Sequence, residues 1–314
     1  MSTGEGPDGI LLVDKAPDRT SHDVVSRVRR LFETRKVGHA GTLDPNATGL
    51  LLLGLGRGTR LLTYLSGLGK TYEAGILLGR GSTTDDVWGE LGPIAARPAL
   101  EAITPERVHA AAKALTGDIL QVPSSVSAIK VGGVRAYRRV REGEDVHLAP
   151  RPVTVSSFAL SGLRRRDDGC LEVDAVIECS SGTYIRALAR DLGAALGTGG
   201  VVSALRRTRV GAFSVSEAAV LPEWDQDGPR PDLLGLGTAA GRVLPVRTVD
   251  AAETRELRFG RPLSPSARSG GVAAVTESGE LVAVLTDERG RARPRFVVPA
   301  APAGKGHGES HAGH

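Results

Sequence analysis

Residues 36–49 read Lys-Val-Gly-His-Ala-Gly-Thr-Leu-Asp-Pro-Asn-Ala-Thr-Gly, a run that no single helix or strand accommodates from end to end. Gly38, Gly41 and Gly49 free the backbone where a Cβ would clash. Pro45 fixes its own φ and pushes Asp44 toward an extended conformation. The run predicts a shaped loop that presents His39 and Asp44 on a rigid platform. Two uses of Asp44 stand at this level. It caps a helix from an Asp-Pro turn, or it displays a carboxylate for chemistry.

The flanking chain supplies the scaffold. Residues 10–13 and 50–53 are short apolar runs that read as buried strands. Between them Thr20 or Ser21 can cap a helix whose apolar positions are Val24, Val25, Val28, Leu31 and Phe32. Residues 59–65 and 107–115 read as helices, and 72–78, 153–160 and 171–179 as strands. Residues 185–196 place Ile185, Leu188, Ala189, Leu192, Ala195 and Leu196 on one helical face. Strands and helices mixed without regular β-α-β alternation predict an α+β fold.

A chain of 314 residues has room for two domains. Residues 1–221 read as the first, and the proline- and glycine-rich stretch 222–245 as a linker. Apolar runs at 272–276 and 281–286 flank Glu277-Ser-Gly-Glu280, a hairpin signal, and 287–290 is a second turn. Residues 246–300 are thus expected as a small β domain, and the Gly- and His-rich 301–314 as a disordered tail. No apolar run approaches the ~20 residues of a membrane span, and residues 1–8 lack a signal-peptide pattern. A cytoplasmic location, with no membrane partner, is expected.

Basic charge is unevenly placed. Residues 130–166 hold nine Lys or Arg against three acidic residues, and Arg206, Arg207 and Arg209 form a second cluster. Such asymmetry suits a polyanion, and equally an ordinary solvated surface. Cys170 and Cys179 fall in or beside one strand, which cannot fold back to join them. The histidines show no zinc spacing. Gly54-Leu-Gly56-Arg-Gly58 brings its third glycine one residue early for a dinucleotide fingerprint. Gly69-Lys70-Thr71 has Tyr64 where a phosphate-binding loop needs glycine. No cofactor or metal is expected, which leaves a carboxylate, tyrosines and arginines for any chemistry.

The Asp44 run resembles the active-site motif of bacterial tRNA pseudouridine-55 synthases of the TruB type. Five further segments match that family in order: Leu11-Leu-Val-Asp-Lys15 with Thr20-Ser21; Lys70-Thr-Tyr72; Leu78-Gly79 through Thr84-Asp-Asp86 to Gly89; Gln121-x-Pro123 through Ser127-Ala-Ile-Lys130 to Arg151-Pro-Val153; and Cys179-Ser-Ser-Gly-Thr-Tyr-Ile-Arg186 through Asp191-Leu-Gly193 to Leu205-Arg-Arg207. The resemblance covers about residues 9–215. Two departures lie in the first segment and the fourth: Asp18 replaces a turn glycine, and Val126 stands where a tyrosine is common.

The resemblance implies a mixed-sheet catalytic domain and a PUA-like RNA-binding domain at 246–300. Residues 123–148 would form a loop that grips RNA, with Lys130, Arg138 and Arg139 on phosphates. The implied substrate is the T arm of tRNA, taken by a monomer without a nucleotide cofactor. Uridine 55 would be flipped out and isomerised to its C-glycoside. Asp44 would be the nucleophile, aimed by Arg186, itself held by Asp86. Tyr72 would stack on the base, Tyr184 would transfer a proton, and Leu205 would close an apolar wall. His39 would fill the space the base leaves, and Lys15 would support the fold near the site. Plainer alternatives stand beside these: a packed loop histidine at His39, and an Arg186–Asp86 pair that is only structural. A silent RNA-binding or RNA-chaperone protein, or a synthase acting on ribosomal or guided RNA, would share the scaffold.

Overall fold

The computed structural model describes residues 6–124, 148–222, 226 and 228–299, with the backbone alone at 130–131 and 134–135. The chain divides into two compact units, Met1–Leu233 and Leu234–His314.

In the first unit nine strands form one mixed sheet, consistent with the α+β expectation. Its central path runs β1 (Gly9–Lys15), β3 (Thr48–Leu55), β10 (Gly200–Val210), β4 (Lys70–Leu78), β9 (Leu171–Cys179), β8 (Arg151–Arg165) and β5 (Gly117–Gln121). Strands β2 (Val37–Ala40) and β11 (Phe213–Ser214) pair with β3 and β10 respectively. All pairings in this sheet are antiparallel except β10 on β3.

The main apolar cluster lies on one face of the sheet, while Ile10, Leu12, Leu50 and Leu52, which alternate with its members along β1 and β3, are buried on the other. Helices α1 (Ser21–Leu31), α4 (Pro105–Ala114) and α5 (Ile185–Leu196) present Val24, Val28, Val108, Leu188 and Leu192 to Leu11, Leu51, Leu53, Ala74 and Ile76. Short helices α2 (Leu62–Ser66) and α3 (Arg97–Glu101) complete the unit. Helix α1 opens on a reciprocal capping box between Thr20 and Asp23, so Thr20 is the cap. Just before it, Asp18 adopts φ 57°, the left-handed conformation that a turn glycine supplies and that aspartate tolerates better than most residues.

The second unit is built on a four-stranded sheet, β12 (Val246–Val249), β13 (Gly271–Thr276), β14 (Leu281–Glu288) and β15 (Arg291–Val297). The expected hairpin joins β13 to β14, with Gly279 at φ 85° in its turn. Helix α7 (Ala251–Arg258), capped by Asp250, buries Leu257 among Val272, Val282 and Leu285. The stretch expected to be linker needs correction. Helix α6 (Leu236–Gly241) lies inside it, and the units part after Leu233. Glycines at 235, 237 and 241 hide this helix from a propensity reading.

Candidate active site

The run 36–49 is not loop throughout. Its first residues form β2, in register with β3 from Val37↔Leu55 to Ala40↔Leu52, and Thr48 and Gly49 open β3. His39 therefore sits on a strand, and its ring stands edge-on to His22 of α1 at 5.6 Å. The loop proper begins at Gly41, whose φ of 90° an L side chain rarely adopts. It closes in a β-turn in which the Ala47 amide donates to the Asp44 carbonyl at 3.1 Å, with Pro45 at the second position.

Three elements pin that loop. Ser21 Oγ accepts from the Leu43 amide at 2.9 Å and donates to the Leu43 carbonyl at 3.2 Å. Lys15 Nζ donates to the Pro45 carbonyl at 2.7 Å, and also to Arg19 and Ala16. Arg207 Nη2 donates to the Gly41 carbonyl at 3.1 Å, while its Nε holds Leu50 at 2.7 Å. Gly49 makes this possible, because a Cβ there would lie 2.2 Å from the Arg207 carbonyl oxygen. Asp44 is thus flanked on both sides by residues whose backbone is hydrogen-bonded to side chains of other elements.

Asp44 faces a cleft of about 280 Å³, lined also by Tyr72, Tyr184, Arg186, Leu205, Lys70 and Arg207. Arg186 Nε lies 2.9 Å from Asp44 Oδ2 and its Nη1 3.4 Å from Asp86 Oδ2; Nη1 also donates to the Thr84 carbonyl at 2.7 Å. Its side chain is 8% exposed and that of Asp44 45%, so the cation is locked while the carboxylate stays open to the cleft. Asp86 is anchored by Thr84 Oγ1 at 2.6 Å and the Trp88 amide at 3.1 Å. Burial pushes the Tyr72 hydroxyl up, against the opposing charge of Arg207. It also pulls the ammonium groups of Lys15 and Lys70 down to about 8.

Of the residues singled out in the sequence, Asp44, Tyr72, Tyr184, Arg186 and Leu205 meet in this cleft. Asp86 stands behind Arg186, and Lys15 beneath the Asp44 turn. His39 does not line the cleft. Arg138 and Arg139 lie outside the described residues, as does the Lys130 side chain; Lys130 itself belongs to β6 (Lys130–Val131), paired with β7 (Val134–Arg135).

The second arginine cluster is not a free basic patch. Arg207 is 1% exposed and spent on backbone carbonyls, and Arg206 holds Asp14 in a two-pronged pair at 2.6 and 3.0 Å. Sequence reasoning missed Arg207 and Lys70 as cleft residues. The signal available was their place in the matching segments Lys70-Thr-Tyr72 and Leu205-Arg-Arg207.

A family model described as TruB family pseudouridylate synthase (N terminal domain) matches residues 29–185. The chain is 51% identical over 293 residues to a tRNA pseudouridine synthase B of Thermobifida fusca (strain YX), covering 92% of this chain and 98% of that protein. It belongs to the TruB family of pseudouridine synthases. A second TruB relative, tRNA pseudouridine synthase B of Nocardia farcinica (strain IFM 10152), is 53% identical over 291 residues, covering 92% and 93%. Models described as tRNA pseudouridylate synthase B C-terminal domain and tRNA pseudouridine synthase II, C terminal, match 186–223 and 244–299. A chain from the crystal structure of a Cbf5-Nop10-Gar1 complex superposes with a TM-score of 0.68 at 25% identity, covering 93% of this chain and 85% of its own. Among the described residues, no helix is long and apolar enough to cross a membrane.

Proposed function

We propose that this TruB-family synthase isomerises uridine 55 in the T arm of tRNA, with Asp44 as nucleophile. The observation that carries the reading is the 2.9 Å Arg186–Asp44 pair, opening on a cleft walled by Tyr72, Tyr184 and Leu205. The reaction breaks the N1–C1′ bond, turns the uracil, joins C5 to C1′, and takes a proton from C5 while N1 gains one, leaving the atom count unchanged. It calls for a carboxylate held at the sugar–base junction, a flat surface for the base and a group that moves a proton. Asp44, Tyr72 and Tyr184 supply these in turn.

Arg186 aims the carboxylate and Asp86 aims Arg186, so the nucleophile is oriented before substrate arrives. The target must leave its stack to enter a cleft this small, at a cost of a few kcal/mol. His39, on the strand leading into the loop, is assigned to the vacated space. Lys130, Arg138 and Arg139 are assigned to phosphates on the strength of their charge. The small sheet unit is assigned to RNA as a PUA-like module, and the protein acts as a cytoplasmic monomer.

The decisive experiment incubates the purified protein with a T-arm stem-loop and with the same RNA carrying cytidine at position 55. Pseudouridine should appear at 55 in the first and at no position in the second. Isomerisation elsewhere in the stem-loop, or none in either RNA, refutes the assignment.

A further inference from the structure

Helix α5 begins in an unusual way. The residue at its N-cap is Tyr184, and no side chain caps the helix from that position. Ser, Thr, Asp or Asn ordinarily stands there, accepting from the first free amides of the helix. A tyrosine at this place serves the cleft instead, and the helix entry is held from another element. Gln121, the last residue of β5, is 1% exposed and turns its carboxamide onto the Tyr184 backbone. Its Oε1 accepts from the Tyr184 amide at 2.8 Å, and its Nε2 donates to the Tyr184 carbonyl at 3.0 Å. Both ends of one amide are thus satisfied by one residue, 63 positions along the chain.

A second attachment lies one turn beyond Arg186. Arg190 lies four positions after Arg186 on α5. Its Nη2 donates to the Val122 carbonyl at 2.7 Å, and its Nη1 lies 3.2 Å from Asp85 Oδ2. Asp85 takes a φ of 61° in the turn whose neighbours Thr84 and Asp86 hold Arg186. The helix is therefore fixed at two levels against β5 and against the 84–86 turn. Arg186, which points at Asp44, lies between them in sequence.

We propose that Gln121 is a positioning residue for the isomerisation, and that Arg190 seconds it. By clamping the Tyr184 backbone, Gln121 sets the direction in which Tyr184 and Arg186 enter the cleft. An apolar side chain would fill its place in the core but would leave that direction unset. The inference rests on the roles proposed above for Tyr184 and Arg186.

The test compares single-turnover isomerisation with RNA affinity in Gln121→Met, which keeps the volume and deletes both bonds. The rate should fall about 10- to 100-fold, the scale of a displacement of about 1 Å in an active site. The dissociation constant for the T-arm stem-loop should change by less than about threefold. Gln121→Glu, which still accepts from the Tyr184 amide, should recover part of the rate. Arg190→Met, at a partly exposed side chain that can be lost without opening the core, should show the same split on a smaller scale. That variant carries the test if Gln121→Met does not fold. A wild-type rate in the folded variants, or rate and affinity falling in parallel, overturns the proposal. Asp44→Asn is run beside them. If it turns over normally, the reading of the site fails whatever Gln121 does; if it is dead while Gln121→Met runs at full speed, only the clamp is refuted.

Discussion

The two units of the chain bury different things. Ten of the eleven buried polar or charged residues among the described ones belong to the first unit, including Lys15, Lys70, Asp86, Gln121, Arg186 and Arg207. In the second unit only Thr254 is in that class, and its core is Leu257, Val272, Val282, Leu285 and their apolar neighbours. A buried cation costs several kcal/mol unless it is paired or hydrogen-bonded, and a dry core of the same volume would be as stable or more so. The sheet of the first unit keeps these groups where they hold one loop and one arginine in place. The polar groups set within its apolar core are organised for geometry, whereas the interior of the second unit serves cohesion almost alone.

Four measurements press on that contrast. Asp44→Asn should slow isomerisation about 1,000-fold or more, the scale of losing a nucleophile, while the thermal midpoint and RNA affinity stay close to wild type. Substantial multiple-turnover activity in this variant would remove Asp44 from the chemistry.

Arg207→Met should damage fold and activity together. It leaves the Leu50 and Gly41 carbonyls without their charged donor, at a cost of about 3 kcal/mol or more by denaturant unfolding. Leu257→Ala in the second unit should lose a comparable ~2–5 kcal/mol from that unit alone. At a temperature where both variants are folded, it should leave single-turnover chemistry on the stem-loop unaltered. Equal catalytic loss in the two would erase the distinction drawn between the interiors.

Tyr72 gives a smaller, sharper effect. Tyr72→Phe keeps the stacking face and should stay active, whereas Tyr72→Leu should lose about 1–3 kcal/mol of base binding. Severe loss in both would move the proton-transfer role from Tyr184 to the Tyr72 hydroxyl.

The last effect concerns pH. Burial, then the charge of Arg207, holds Lys70 at about 8 against an ordinary 10.5, with Cys179 opposing. Between those values the unfolded chain binds more protons than the folded one, so stability contributed at this site rises with pH. Urea midpoints of wild type relative to Lys70→Met should therefore climb from pH 8 to 10. A flat difference contradicts the burial of a charged ammonium.

How much of this was legible beforehand follows the range of the interactions. Strand Leu171–Cys179 and helix Ile185–Leu196 coincide with their sequence periods, because an alternating or 3.6-residue pattern is local and was intact. The strand at His39 was masked by Gly38 and Gly41, which signal a loop although the register with β3 decides otherwise. The span of helix α6 reads as a linker for the same reason. Arg207 was unreadable as a buried residue: Arg206, Arg207 and Arg209 are chemically alike, alternation along β10 separates only Arg206 from Arg207, and Arg209 is set apart by an irregularity in the register with β4 between Arg207 and Arg209. Gln121 and Arg190 acquire their meaning from partners 63 and 68 residues away, a distance at which no pattern in one sequence reports contact. The Asp44 cleft was more legible than its supports, because the motif names the residues that face the cleft.

The pinning of the Asp44 loop has a consequence for how the protein comes into being. Its three holds come from β1, from the start of α1 and from β10, and the last of these bridges 166 residues. Contacts of such span form late, after the entropy of closing the intervening chain has been met. On the ribosome, where the chain emerges from its N-terminus, Asp44 is exposed long before Arg207 exists. Arg186 is likewise made only after nearly three-fifths of the polypeptide. A nascent chain released before β10 therefore carries Asp44 without the finished cleft. Isomerase activity thus registers completion of the first unit, which makes it a stricter reporter of correct folding than secondary structure or collapse.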